Sequence, residues 1–202
     1  MKDDDDAPGL AAAKAEMRAR LVAARRAMPE EARAGAARAI RDAILAMPQA
    51  QMAGTVAAYY SVGLEPDTQA LLFALWKRGT YVLLPIVRPD LDLDWASYEG
   101  PDSLRPGPRG ALEPSEPPRG AGAVARADLV IVPALAVDRT GHRLGRGGGS
   151  YDRALARVGE QVPTLALIYE GELVDEVPAG SHDQRVRLVT GVSGEITSVG
   201  VT

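Results

Sequence analysis

Runs of strand length alternate with helix-forming stretches along most of this 202-residue chain, and no other feature constrains its fold as much. Residues 11–28 are rich in alanine and arginine, strong helix formers, and Pro29 stops the segment. A second helix is expected over 30–47. The apolar run 55–60 predicts a buried strand, and Asp67 is placed to cap the helix that follows and ends at Gly79. Further strands are expected over 81–85, 93–98, 129–132, 164–169 and 186–190, with a helix over 151–158. Such alternation implies an α/β fold whose mostly parallel central sheet is covered on both faces. Residues 99–122 are crowded with proline and glycine and predict a surface loop with little regular structure, long enough to be functional or mobile. At this length one domain over 1–202 is expected, with residues 1–9, including the acidic run at 3–6, forming a frayed tail.

Charge and composition exclude several classes. The net charge of -4 argues against wholesale binding to nucleic acid or to an acidic membrane. With no cysteine, neither a disulfide framework nor a thiolate zinc site is available. The acidic N-terminus does not resemble a secretory signal, and no apolar run reaches the length of a membrane span, so a soluble cytoplasmic protein is expected.

The stretch 128–155, DLVIVPALAVDRTGHRLGRGGGSYDRAL, carries the chemistry. A strand feeds a glycine-rich turn at the start of a helix, which places bare backbone N–H groups and a positive dipole end together and suits phosphate. Four glycines between Gly145 and Gly149 let an anion approach the backbone without side chains in the way. Arg143, Arg146 and Arg153 add positive charge, and Asp152 offers a hard oxygen for magnesium. Two familiar phosphate templates fail. No lysine stands where a P-loop requires one, and Ser150 occupies the last glycine of a dinucleotide fingerprint. Spacing alone therefore leaves two alternatives, an anion site of unspecified type or a flexible loop. Lys14, Arg18 and Arg25 share one face of the first helix, and a solvated basic stripe is the default for them.

The run DRTGHRLGRGGGSYDRAL resembles the signature of the 5-formyltetrahydrofolate cyclo-ligase family, G-x-R-L-G-x-G-x-G followed by aromatics and aspartate. Other blocks follow in the family's order over residues 14–190. Lys14 to Arg18 resembles its K-x-x-[LM]-R, Glu65 to Thr68 its E-x-[DE]-T, Leu112-Glu113-Pro114 its E-P, and His182-Asp183 its C-terminal aspartate. The resemblance implies a three-layer α/β/α architecture similar to sugar-phosphate isomerases and CoA transferases. It also implies ATP-dependent cyclisation of 5-formyltetrahydrofolate to 5,10-methenyltetrahydrofolate by a ligase that uses ATP and Mg2+.

By the same resemblance, ATP would be held by Lys14, Arg18, Arg143, Leu144, Gly145, Arg146, Gly147, Gly148, Gly149, Ser150 and Tyr151. Arg146 would be catalytic, because phosphoryl transfer is driven by positioning and charge neutralisation. Glu65, Tyr60, Arg18 and Tyr151 would bind the folate, and Asp152 and Asp183 the magnesium. Arg25 and Arg26 gain no role and stay surface charges. Tyr60 and Tyr151 fit either stacking or core packing. His142 reads as a loop residue, His182 as a residue beside Asp183, and Trp76 and Trp95 as packing residues. Ser150 stands where many members carry an aromatic, and Arg187 where an acid is frequent. A monomer or weak dimer is expected, with no nucleic-acid or membrane partner. Two alternatives stay open: a non-catalytic folate- or nucleotide-binding relative, and an isomerase-like enzyme on the same fold.

Overall fold

The computed structural model describes residues 8–200, so the acidic run at 3–6 lies outside the described residues. Three helices come first, α1 (Pro8–Ala27), α2 (Glu30–Ala46) and the short α3 (Pro48–Met52). Then follow β1 (Thr55–Ala57), α4 (Gln69–Lys77), β2 (Tyr81–Val87) and β3 (Leu93–Ser97). A hairpin of β4 (Leu104–Pro106) and β5 (Leu112–Pro114) leads through a 3-10 turn at Ala121–Arg126 into β6 (Leu129–Pro133). The remainder is β7 (Ala136–Asp138), β8 (Arg143–Leu144), α5 (Ser150–Leu155), β9 (Thr164–Leu167), β10 (Leu173–Val174), β11 (Leu188–Thr190) and β12 (Ile196–Ser198).

Seven strands form one sheet in the order β12-β11-β9-β6-β1-β2-β3. The five inner strands run parallel and the two edges antiparallel. Side-chain alternation along each strand sorts the core into two layers. Val56, Leu129, Ile131, Leu165 and Leu167 pack with Ile40 and Ile44 of α2 and Leu71, Leu72 and Leu75 of α4. Ala57, Val130, Val132 and Ala166 pack on the opposite face with Ala154 and Leu155 of α5 and Val124 of the 3-10 turn. Ile40 and Ile44 stand four apart on α2, so both reach the sheet and are fully buried. The continuous apolar character of β6 follows from its central place, since both of its faces meet core.

From β1 the chain moves outward to β2, whereas from β6 it moves the other way to β9. Adjacent parallel strands whose connections diverge leave a crevice beyond their C-terminal ends, where ligands of open α/β sheets bind. A second, three-stranded sheet of β7, β8 and β10 stands beside that crevice. Leu21 of α1 packs with Leu135, Ala136, Leu144 and Val177 in a third cluster, which docks the first helix over the small sheet. No helix among the described residues is long and apolar enough to cross a membrane.

Several expected boundaries change. α1 begins at Pro8, inside the expected tail. β1 stops at Ala57 because the chain then turns, with Thr68 Oγ1 donating to Tyr59 O at 2.7 Å. α5 covers only Ser150–Leu155, not 151–158. The stretch 99–122 is not structureless but contains the β4–β5 hairpin, whose prolines sit at strand ends where no ladder N–H is needed. The small sheet and β12 left no readable pattern, because two- and three-residue strands are too short to show a period. Asp67 does meet the helix start, since its Oδ1 accepts the Gln69 N–H at 2.7 Å.

Candidate active site

A cleft of about 350 Å³ opens at the crevice between β1 and β6. Its floor is Tyr59, Tyr60, Pro133, Ala134 and Leu135, just past the ends of those strands. One wall is the 145–149 turn, another is α1 through Lys14, Arg18 and Arg25, and the hairpin tip closes a third side with Pro108, Ala111 and Leu112. Every residue singled out above as an ATP, folate or metal ligand lines this one cleft. Residues from positions 14 to 183 thus converge on a single space.

The glycine-rich turn is held open from both sides. Gly147 (φ 98°) and Gly149 (φ 65°) adopt left-handed backbone that a side chain would strain. The Arg18 guanidinium lies against Gly147, where an added Cβ would meet Cζ at 3.3 Å. Arg18 Nε donates to Gly145 O at 2.8 Å. Among the described residues no acceptor takes a hydrogen bond from the backbone N–H groups of residues 145–149. A run of unpaired amides beside arginines is the chemistry of an anion nest. The helix dipole adds less than expected, because α5 has only six residues.

Charges in the cleft are paired in ways the sequence did not reveal. Arg146 Nε sits 3.2 Å from Glu65 Oε1, and its Nη2 donates to Val62 O at 3.2 Å. The two residues expected to act on different substrates therefore bridge the glycine turn to the 61–65 loop. Glu65 Oε2 also accepts the Val62 N–H at 2.8 Å. Burial pushes the Glu65 carboxyl above its ordinary range, which Arg146 and that N–H only partly offset. Arg143 is buried, donates from Nη2 to Asp152 Oδ1 at 2.9 Å, and its Nε has no partner among the described residues. Tyr151 packs against both sheet-face clusters, and burial pushes its hydroxyl well up, so it stays protonated. Tyr60 packs at the edge of the first cluster.

Asp183 Oδ2 takes Lys14 Nζ at 2.5 Å and the Gly180 N–H at 2.6 Å. The Gln184 N–H donates to Asp152 Oδ1 at 3.2 Å, which pins the 180–184 turn beside Asp152. Each carboxylate keeps one oxygen without a hydrogen bond among the described residues. Two hard oxygens beside a phosphate nest fit a magnesium ion that completes its shell with phosphate and water. No cluster of three or more histidine, aspartate or glutamate residues able to hold a metal alone occurs among the described residues. Burial alone would raise the Asp183 carboxyl, yet Lys14 and the Gly180 N–H hold it below the ordinary range. The tie is therefore complete above about pH 4, the unfolded value, and is lost as pH falls through the lower folded value. Melting temperatures of wild type and Asp183→Asn should differ at neutral pH and converge in strong acid; a constant gap would refute the tie.

Arg25 corrects the expectation of a surface charge. It is 3 % exposed and lines the cleft. Its Nε and Nη2 meet Glu172 Oε1 and Oε2 at 2.7 and 2.8 Å, and Nη2 also donates to Ala134 O at 2.6 Å. Its position seven residues after Arg18, on the face of Lys14, was the available signal; its buried partner Glu172 gave none. His142 stays outside the cleft, with Nδ1 3.0 Å from Thr140 Oγ1 and Nε2 accepting Arg185 Nε at 3.0 Å. Arg153 does not line the cleft but braces the outer side of the glycine turn, its Nη2 donating to Gly148 O at 3.1 Å and to Leu91 O at 2.7 Å. Trp95 is fully buried, and Trp76 packs against the first cluster.

The sequence profile of the 5-formyltetrahydrofolate cyclo-ligase family matches residues 10–191. A 5-formyltetrahydrofolate cyclo-ligase of Mycolicibacterium smegmatis is 42% identical over 176 residues, covering 84% of this chain and 89% of its own. One from Escherichia coli K12 is 31% identical over 162 residues, covering 79% and 89%. The solved 5,10-methenyltetrahydrofolate synthetase of Aquifex aeolicus superposes with a TM-score of 0.78 at 24% identity over 92% of each chain. At that identity the likeness concerns the fold.

Proposed function

This chain belongs to the 5-formyltetrahydrofolate cyclo-ligase family, an ATP-dependent ligase family, and we propose that the cleft beyond β1 and β6 is where it closes 5-formyltetrahydrofolate to 5,10-methenyltetrahydrofolate. The observation that carries this assignment is the set of 145–149 amides, unpaired among the described residues, gathered with Lys14, Arg18, Arg143 and the Arg146 side chain around one cleft.

The formyl group on nitrogen-5 is an amide, and its oxygen leaves poorly. In the first step that oxygen attacks the γ-phosphorus of ATP, the bond to the β-phosphate oxygen breaks, and ADP departs. The product is an imino-phosphate. Nitrogen-10 then attacks the formyl carbon and loses its proton, and the carbon–oxygen bond breaks to release phosphate. The protein forms no covalent bond in this sequence, so its work is alignment and charge neutralisation. The 145–149 amides cradle the phosphates, and Lys14, Arg18 and Arg146 balance their charge. The buried Arg143 holds Asp152 in place. Asp152 and Asp183 would hold a magnesium ion, which would supply charge neutralisation of phosphate oxygens. Lys14, paired with Asp183 in this structure, lies beside the glycine turn where it can also meet a phosphate. Glu65 and Tyr60 border the folate end.

The architecture, helices on both faces of one domain, fits the proposed kinship with sugar-phosphate isomerases and CoA transferases. A cytoplasmic monomer or weak dimer without nucleic-acid or membrane partners is part of the same proposal. Incubation with 5-formyltetrahydrofolate and Mg-ATP should produce the near-ultraviolet methenyl chromophore with one ADP per turnover. ATP binding without the chromophore would instead identify a non-catalytic relative.

A further inference from the structure

One arginine beside the glycine turn has no role in the chemistry above. Arg153 projects from α5 on the side of the turn away from the cleft, with its side chain 42% exposed. Its Nη2 donates to two carbonyls at once, Gly148 O at 3.1 Å and Leu91 O at 2.7 Å. Its Nη1 packs so near Gly149 that an added Cβ there would stand 2.8 Å away. The far anchor is itself held. Leu91, in the turn between β2 and β3, has left-handed backbone (φ 63°), the only non-glycine among the described residues to do so. Such a conformation persists where its surroundings over-determine it. Here the Leu91 N–H donates to Arg88 O at 3.0 Å, and Arg157 grips the adjacent Asp92 through bonds of 2.9 and 2.7 Å.

A planar trans peptide points its C=O and its N–H in opposite directions. Gly148 O and the Gly149 N–H belong to one such peptide, and Arg153 holds the carbonyl on the outer side. The N–H is thereby turned toward the cleft. A peptide between two glycines meets no side chain when it flips, so its orientation needs a hold from outside the turn. We propose that Arg153 is a positioning residue for the nucleotide: by fixing the Gly148–Gly149 peptide it aims the Gly149 N–H at a phosphate without touching the phosphate itself. This inference rests on the reading of the 145–149 turn as the phosphate cradle. Leu91 is the abutment, so the β2–β3 turn supports nucleotide binding from outside the cleft.

Calorimetric titration with Mg-ATP and, separately, with 5-formyltetrahydrofolate reads each substrate apart from turnover. Arg153→Ala should weaken Mg-ATP by at least about tenfold, the loss of one charge-assisted hydrogen bond, while folate affinity stays unchanged. Millimolar methylguanidinium should restore part of that affinity, because the vacated position is open to solvent, whereas sodium chloride at equal ionic strength should not. Arg153→Met keeps the stem of the side chain without its donors and should lose Mg-ATP to the same extent, which decides the matter if Arg153→Ala does not fold. Unchanged Mg-ATP affinity in a folded variant makes Arg153 a tether of two loops and overturns the proposal. Equal weakening of ATP and folate, or no greater restoration by methylguanidinium than by sodium chloride, overturns it too. A wild type that does not bind Mg-ATP would sink the phosphate cradle itself. ATP binding that needs Arg153, in a protein that makes no methenyl product, would sink the reaction assigned above and leave this role standing.

Discussion

Replacing Arg146 with alanine is expected to lower the rate of methenyl formation by about three powers of ten or more, the effect of removing a single cationic finger from other phosphoryl-transfer sites. Its guanidinium is the most exposed of the cleft's cations, with the side chain 60% exposed, and among the described residues it is tied only to Glu65 and Val62 O. It is therefore free to swing onto a phosphate without breaking the buried framework, which Arg143 is not. Folding should survive, since Glu65 keeps the Val62 N–H and its carboxyl can take up a proton once the exposed Arg146 guanidinium is removed. The variant leaves Glu65 without its cation, and the carboxyl, already raised by burial, rises further. The rate profile of any residual activity should then shift to higher pH at its acid limb. Single-turnover measurement of the chromophore with saturating Mg-ATP separates chemistry from binding. A loss below about tenfold would make Arg146 a tether between two loops and not the group that neutralises the transferring phosphoryl.

The largest stability effect is expected beneath the cleft. Arg25→Ala should destabilise the fold by about 3–5 kcal/mol, because Glu172 is left as an uncompensated charge at 3% exposure. For a chain of this size that corresponds to a fall in Tm on the order of 10 °C. Glu172 also accepts the Tyr169 N–H at 2.7 Å, so the carboxylate holds the turn after β9 while Arg25 holds α1 to Ala134 after β6. Burial opposes the Arg25 charge, yet Glu172 keeps its pKa above the ordinary arginine value, so the pair stays ionised. Replacing both partners, as in Arg25→Met with Glu172→Leu, should recover a substantial part of the loss, since an apolar pair needs no compensating charge. Thermal melts of the single and double variants test this. Equal Tm values for wild type and Arg25→Ala would refute the tie.

What was legible from residues and what was not divides along physical lines. The parallel sheet followed from the alternation of apolar runs with helix-forming stretches, because burial on both faces leaves a continuous apolar imprint on β6 and β9. The hairpin at 104–114 and the small sheet of β7, β8 and β10 were invisible. Their strands are two or three residues long, too short to show a period, and β10 owes its pairing to a distant partner, Leu173 beside Val137. Candidate ligands were found one motif at a time, through the glycine run and the family resemblance. Their mutual pairings were not, because Lys14 meets Asp183 across 169 positions and Arg146 is 3.2 Å from Glu65 across 81.

Chain order and side-chain chemistry alone therefore determined an α/β sheet, and marked a glycine-rich turn at 145–149 with the acids and cations near it as the candidate site. Local propensity and motif spacing are properties of neighbouring residues, so a linear string carries them. Tertiary structure alone decided which charge neutralises which. It sent Arg25 inward to Glu172 instead of outward to water and tied Glu65 to Arg146. Burial and Coulomb attraction depend on distance through space, and separation along the chain does not report that distance.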